Sequence, residues 1–230
     1  GTWIISDVRH FLYDIVDPKD PFTLFEYQQE VQKILDREEG IPIIVGGTGL
    51  YIDSVVFNYD LKENNHESDL SNLSLEELQE RATPFLELMT ESDKKNPHRL
   101  IRAIQKNSIE RNKGKDLNSI YFVLDIEKEE LRKRIEKRVD KMFEDGLEDE
   151  NRELLEKGYK YEDKGLNSIG YREFEKYFRK ECTLEEVKEE IVKNTLRYAK
   201  RQRTWFRRNK NCVYVNSYES MLDLASNFIS

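Results

Sequence analysis

The chain has 230 residues, with 46 acidic against 38 basic side chains and a net charge of −8, and hydrophobic and charged residues each make up 37%. No run of eighteen apolar residues occurs, which excludes an apolar membrane-spanning helix, and no charged n-region with an apolar h-region opens the chain. The only cysteines, Cys182 and Cys212, exclude a disulfide scaffold, so a soluble protein of the reducing cytoplasm is expected.

In chain order, Val8 to Pro21 reads as extended, with Asp17-Pro18 and Asp20-Pro21 as turn punctuation. Thr23-Leu24-Phe25-Glu26 is a capping box that opens a helix running to about Arg37. Phe25, Val31, Ile34 and Leu35 give it a helical apolar stripe, and Gly40 stops it. Pro42 to Val45 predicts a short buried strand, followed by Gly46-Gly47-Thr48-Gly49 and a helix-like segment. Helix, short loop and apolar strand is the grammar of a parallel α/β sheet.

From Asn58 to about Ser92 the composition turns polar, with short helical pieces at Leu75–Leu78 and Phe85–Leu88, and predicts an inserted helical subdomain. Pro97 sits at the first position of the next helix, whose apolar side is Leu100, Ile101 and Ile104. Lys113-Gly114-Lys115 is a loop, and Ser119–Ile126 is the second clear strand. The long charged helix after it carries Leu131, Ile135, Val139 and Met142, and Gly146 divides Val139–Tyr159 into two helices. A helix is expected to open at Ile169–Arg172, and Thr183–Glu186 is a second capping box. Val213–Val215 is a final strand, and Met221–Ile229 a final amphipathic helix.

Three features point to chemistry. The glycine turn reads either as a plain strand–helix connection or as a phosphate cradle. Glycines let backbone N–H groups approach an anion, a following helix aims its positive end there, and Thr48 adds a hydroxyl. Arg134 and Arg138 share a helical face at i and i+4, which suits a diphosphate, or they are surface residues with acidic neighbours such as Glu130. Lys193, Arg197, Lys200, Arg201, Arg203, Arg207, Arg208 and Lys210 form a basic run without an intervening Asp or Glu. Tyr198, Trp205 and Phe206 lie within it, a composition suited to phosphate contacts and base stacking. His10 reads as structural, while Asp14 and Asp17 either bind Mg²⁺ or cap a turn.

These segments together resemble the tRNA dimethylallyltransferases. The resemblance runs through Arg9-His10-Phe11-Leu12-Tyr13-Asp14-Ile15-Val16-Asp17-Pro18 and Val45-Gly46-Gly47-Thr48-Gly49-Leu50-Tyr51. It continues in Asn96-Pro97-His98-Arg99-Leu100-Ile101-Arg102-Ala103 and Arg134-Ile135-Glu136-Lys137-Arg138-Val139-Asp140. It ends in Ser168-Ile169-Gly170-Tyr171-Arg172 and Tyr198-Ala199-Lys200-Arg201-Gln202-Arg203-Thr204-Trp205-Phe206-Arg207-Arg208.

The resemblance implies an α/β fold with a P-loop NTPase-like parallel sheet core flanked by helices, and a small helical insertion. Residues 1–57 and 108–230 would form the core and 58–107 the insertion. It implies transfer of a dimethylallyl group from dimethylallyl diphosphate to N6 of the adenosine 3′ of the anticodon in tRNA, assisted by Mg²⁺, by a cytoplasmic monomer. Thr48 and Arg138 would be catalytic, and Gly46, Gly47, Thr48, Arg134 and Arg138 would hold the donor diphosphate. Thr48, His98, Arg99, Leu100, Ile101, Arg102, Asn167, Ser168, Ile169, Gly170, Tyr171, Arg172, Lys200 and Arg201 would contact tRNA, with Gln202 a backbone or donor contact.

The sequence also departs from the family pattern. It has neither the Gly-rich P-loop nor the segment carrying the family's general-base aspartate. Gly1-Thr2 resembles the Gly-Thr pair that the family places just after those two elements. The chain is therefore expected to start beyond them, and a non-catalytic tRNA-binding fragment is the alternative. Arg9 stands where the family commonly has a histidine.

Overall fold

A computed structural model describes residues 1–61, 70, 72–106 and 114–230. Contacts divide the chain into two units, residues 1–52 with 118–230, and residues 53–117. Among the described residues no helix is long and apolar enough to cross a membrane. His66 and most of the polar stretch Lys62–Ser74 lie outside the described residues, as does Lys113.

The first unit opens with a hairpin of β1 (Thr2–Ile5) and β2 (Val8–Phe11), antiparallel, with Thr2 opposite Phe11 and Ile5 opposite Val8. Ser6 and Asp7 both take positive φ, 50° and 60°, the two-residue turn whose twist matches its strands. The expected extended stretch thus stops at Phe11, because Leu12 and Asp14 are left-handed at φ 66° and 50°. Asp17 caps a turn: its Oδ1 accepts from the Lys19 N–H at 2.9 Å, and its Oδ2 accepts from the Tyr159 hydroxyl at 2.9 Å. The Lys19 N–H, then the Tyr159 hydroxyl, hold that carboxyl below its ordinary range.

Helix α1 (Leu24–Arg37) begins with the expected Thr23–Glu26 capping box, and Arg9 of β2 forms an ion pair with Glu38 at its end. The expected strand at Pro42–Val45 does not form. Ile43 is 84% exposed and Val45 89%, and neither belongs to a sheet. β-branched residues favour a strand only where a neighbouring strand supplies hydrogen bonds and packing, and among the described residues none does so here. Helix α2 (Gly49–Val56) follows the glycine loop.

The second unit contains α3 (Leu75–Arg81), α4 (Thr83–Leu86), α5 (Glu91–Lys94) and α6 (Pro97–Lys106). A capping box at Ser74–Glu77 opens α3, and Leu70, Leu78, Ala82 and Leu100 form a small core.

Back in the first unit, β3 (Tyr121–Leu124) pairs in parallel with β4 (Cys212–Val215), Tyr121 opposite Cys212 and Leu124 opposite Val215. Their connection holds α7 (Lys128–Glu144), α8 (Leu147–Glu156), α9 (Phe174–Phe178) and α10 (Leu184–Phe206). The structure is α/β, with one two-stranded antiparallel and one two-stranded parallel sheet among the described residues. Gly146 breaks α7 from α8 at φ 97°, as expected from its position. The helix expected from Ile169 instead begins at Phe174, because residues 167–172 form a turn around Gly170 at φ 101°. Helix α11 (Tyr218–Ile229) ends the chain.

The helices pack around Ile135, Val139, Leu147, Phe174, Val187 and Ile191. Helices α7 and α10 run antiparallel. Arg203, near the end of α10, bonds to the Ile126 carbonyl just before α7, while Lys188, near the start of α10, pairs with Asp140 at 2.6 Å. The Thr183 capping box starts this 23-residue helix. Thr183→Ala removes an N-cap acceptor and should cost about 1 kcal/mol, read as a lowered denaturation midpoint with an unchanged denaturant slope.

Candidate active site

The glycine loop lies against one face of α10. Gln202 Nε2 donates to the Gly47 carbonyl at 2.8 Å, and the Thr48 and Tyr198 hydroxyls share a hydrogen bond of 3.0 Å. Tyr198, Gln202 and Trp205 are spaced four and three apart, so one helical face presents all three. A Cβ on Gly47 would lie 2.2 Å from Gln202 Nε2, and one on Gly49 2.2 Å from Trp205 Cδ1. Gly49 is required for close approach to the helix, because the Trp205 ring blocks a side chain there, whereas a side chain at Gly47 would displace the flexible end of Gln202. Thr48 and Gly46 remain exposed, so a hydroxyl and backbone groups face solvent from a loop fixed at its back.

Helix α7 packs its Ile135–Val139 seam into the core. Arg134 and Arg138 each precede a seam residue by one position, and both are exposed. Arg134 Nε is paired with Glu130 at 2.7 Å, the acidic neighbour noted in the sequence. Arg138 lies two residues before Asp140, which pairs with Lys188 near the start of α10, whereas Tyr198 lies ten residues further along that helix. Among the described residues neither arginine has a hydrogen bond or ion pair to the glycine loop. The first unit also has a cavity of about 740 Å³, lined by Gly1, Asp14, Phe22, Phe25 and Lys33 among others; of the residues singled out in the sequence for their chemistry only Asp14 lines it, and none of the glycine-loop, arginine or tRNA-contact residues does.

The basic run divides by partner. Lys193 pairs with Glu190 at 2.8 Å, Arg197 lies 3.7 Å from the same carboxylate, and Arg203 lies 3.7 Å from Asp125. Lys200, Arg201, Arg207, Arg208 and Lys210 have no ion pair among the described residues. Of the aromatics inside the run, packing takes Phe206 fully, while Tyr198 and Trp205 stay half-buried. Phe206 is buried edge-on to Tyr121 at 6.0 Å, Trp205 lies against Gly49, and Tyr198 holds Thr48. The missed signal was the four-three spacing of residues 198, 202 and 205, which matches a loop needing close approach.

The turn at residues 167–172 exposes Asn167, Ser168 and Arg172, while Ile169 packs on the core and Gly170 is buried. Tyr171 donates to Glu150 at 2.8 Å, and burial, aided by that carboxylate, pushes its phenol up to about 12. In the second unit, α6 exposes His98, Arg99 and Arg102, and Arg99 lies 3.8 Å from Asp93. Leu100 corrects the sequence expectation. It is 0% exposed among Leu70, Leu78 and Ala82, so its side chain serves packing and is closed to RNA. Ile101 packs on the same cluster.

The family model for IPP transferase matches residues 5–209. The chain belongs to the IPP transferase family. It is 34% identical over 249 residues to a tRNA dimethylallyltransferase of Clostridioides difficile (strain 630), covering 98% of this chain and 80% of that protein. It is 35% identical over 209 residues to a tRNA dimethylallyltransferase of Acholeplasma laidlawii (strain PG-8A), covering 88% of this chain and 70% of that one. The crystal structure of the full-length tRNA isopentenylpyrophosphate transferase from Bacillus halodurans superposes with a TM-score of 0.66 at 28% identity. That likeness covers 94% of this chain and 75% of that one. The matched segment contains all the site residues named above.

Proposed function

We propose that the chain is a tRNA dimethylallyltransferase, transferring a dimethylallyl group from dimethylallyl diphosphate to N6 of the adenosine 3′ of the anticodon. The observation that carries this reading is the glycine loop seated on a helix whose next residues, Lys200 and Arg201, are cations without carboxylate partners among the described residues. In this reading the diphosphate cradle and the tRNA-binding helix belong to one piece of structure, since the loop is bonded to α10. The relatives' name, tRNA dimethylallyltransferase, supports dimethylallyl transfer to tRNA.

In this reading the N6 amine attacks the allylic carbon and forms a C–N bond. The C–O bond to the diphosphate breaks, and its electron pair leaves with the diphosphate. N6 then loses a proton, for which no residue of the chain is assigned. Negative charge builds on the departing diphosphate, so donors fixed there before reaction lower the barrier. The backbone N–H groups of Gly46 and Gly47 and the Thr48 hydroxyl are placed in that role, with Arg134 and Arg138 as guanidinium partners. The adenine must leave its stack to reach them, and the surrounding RNA must be held by its backbone. His98, Arg99, Ile101 and Arg102 of α6, Asn167, Ser168 and Arg172 of the turn, and Lys200 and Arg201 of α10 are assigned to that contact. Among the described residues no group of three His, Cys, Asp or Glu side chains stands ready for a metal. Mg²⁺ bound with the donor would be held chiefly by the diphosphate oxygens and water, where it would offset their charge, and no step here is routed through the ion.

Incubating the chain with unmodified tRNA and dimethylallyl diphosphate, then weighing the digested nucleosides, should reveal isopentenyladenosine. Arg138→Ala should raise KM for the donor about 10- to 100-fold, the worth of a hydrogen bond to a charged group, with tRNA affinity unchanged. Bound tRNA without product would leave only the binding function standing. An unchanged donor KM in Arg138→Ala would remove that residue from the diphosphate site.

A further inference from the structure

The turn bearing Arg172 is built around a carboxylate that no sequence motif singled out. The Glu173 side chain is only 2% exposed, and three donors converge on it. The Gly170 N–H donates to Oε2 at 2.9 Å, Asn194 Nδ2 donates to Oε1 at 2.8 Å, and Arg172 Nε lies 3.2 Å from the same Oε1. From the other side, the buried Asn151 donates through Nδ2 to the Gly170 carbonyl at 3.2 Å and to the Leu147 carbonyl at 2.8 Å. Both hydrogen-bonding groups of Gly170 are thereby fixed, one by Glu173 and one by α8, while Asn194 anchors the carboxylate to α10.

Burying a charge is costly unless it is paired and hydrogen-bonded, and this carboxylate is both. Its cation is half outside: the Arg172 side chain is 41% exposed. A guanidinium carries five N–H donors, and Glu173 engages only the one on Nε. The two Nη groups keep the planar fork that matches two oxygens of one phosphate.

We propose that Glu173 is a positioning residue for RNA binding, which ties Arg172 by Nε and presents its Nη fork to a backbone phosphate. The proposal rests on the tRNA reading above. It also makes an unusual demand of electrostatics. Removing an anion beside a polyanion site should by simple charge arithmetic tighten binding. Removing a positioning anion should weaken it, because Arg172 must then be ordered at the moment of binding.

The test measures binding of an unmodified tRNA transcript across a salt series, alongside thermal melting of each variant. Glu173→Gln, close to isosteric, should raise Kd about three- to ten-fold, the range expected for immobilising one long side chain. Its salt slope should move toward that of Arg172→Ala, which should fall by about 1. The double variant should bind no more weakly than Arg172→Ala alone, since Glu173 acts through Arg172. Should Glu173→Gln melt too low to assay, Asn194→Ala, which loosens the same Oε1, should weaken binding in the same direction. Unchanged or tighter binding in a folded Glu173→Gln, or losses that multiply in the double variant, would overturn the proposal. Absence of salt-dependent binding by the unaltered chain would be a separate failure, of the tRNA reading itself, and would carry this proposal with it.

Discussion

Thr48→Val should lower the rate of prenyl transfer about 100-fold or more while leaving the chain folded, in line with removal of one fixed donor from a developing anion. Valine keeps the branched shape and removes only the hydroxyl. The folded state loses one exposed hydrogen bond to Tyr198, worth about 1 kcal/mol or less. The rate effect can arise in two ways, and Tyr198→Phe separates them. If the hydroxyl contacts the leaving group, Tyr198→Phe leaves Thr48 its donor and should cost far less than Thr48→Val. If the hydroxyl only ties the loop to α10, the two variants should be equally slow. We expect the first pattern, because the Gln202 bond to Gly47 and the close fit of Gly49 on Trp205 still hold the loop when the phenol is lost. A Thr48→Val enzyme within a factor of three of the unaltered rate would remove Thr48 from the reacting centre.

What the sequence made legible is mostly what neighbouring residues decide among themselves. The capping boxes at Thr23 and Thr183, the break at Gly146 and the start of α6 at Pro97 each depend on contacts within about four residues, and each forms as read. The parallel pairing of β3 with β4 agrees with a parallel α/β reading, although among the described residues that sheet has two strands only. The strand at Pro42–Val45 did not form, because a ladder needs a partner and composition does not supply one. The site divides in the same way. The glycine loop announced itself through consecutive small residues, but its floor of Tyr198, Gln202 and Trp205 lies about 150 residues on. The aromatics of that floor sit in a basic run and read as stacking groups, and their contacts with the loop, which half-bury them, are not written in that composition. Glu173 was invisible for the same reason, since Asn151, Gly170 and Asn194 meet there only once α8, α9 and α10 pack.

The packing that brings them together centres on Phe174, and Phe174→Ala should be the most damaging single change to stability. Its side chain is 0% exposed. It stacks on Phe143 of α7 at 5.7 Å and on Phe178 at 5.9 Å, and meets Tyr177 edge-on at 6.1 Å. Truncation of a buried phenylalanine removes its transfer free energy and leaves a cavity, about 3–5 kcal/mol together. For a chain of this size that corresponds to a melting shift of about 10 °C. The consequence extends to RNA, because Phe174 directly follows Glu173 and anchors α9 beneath the turn. A loosened anchor frees the Gly170 clamp and with it Arg172, so tRNA affinity should fall at temperatures where the variant is still folded. Phe174→Leu fills most of the volume and should restore both stability and affinity in parallel. Recovery of stability without recovery of binding would show that the ring itself, through its contact with Phe143, sets the pose of the turn.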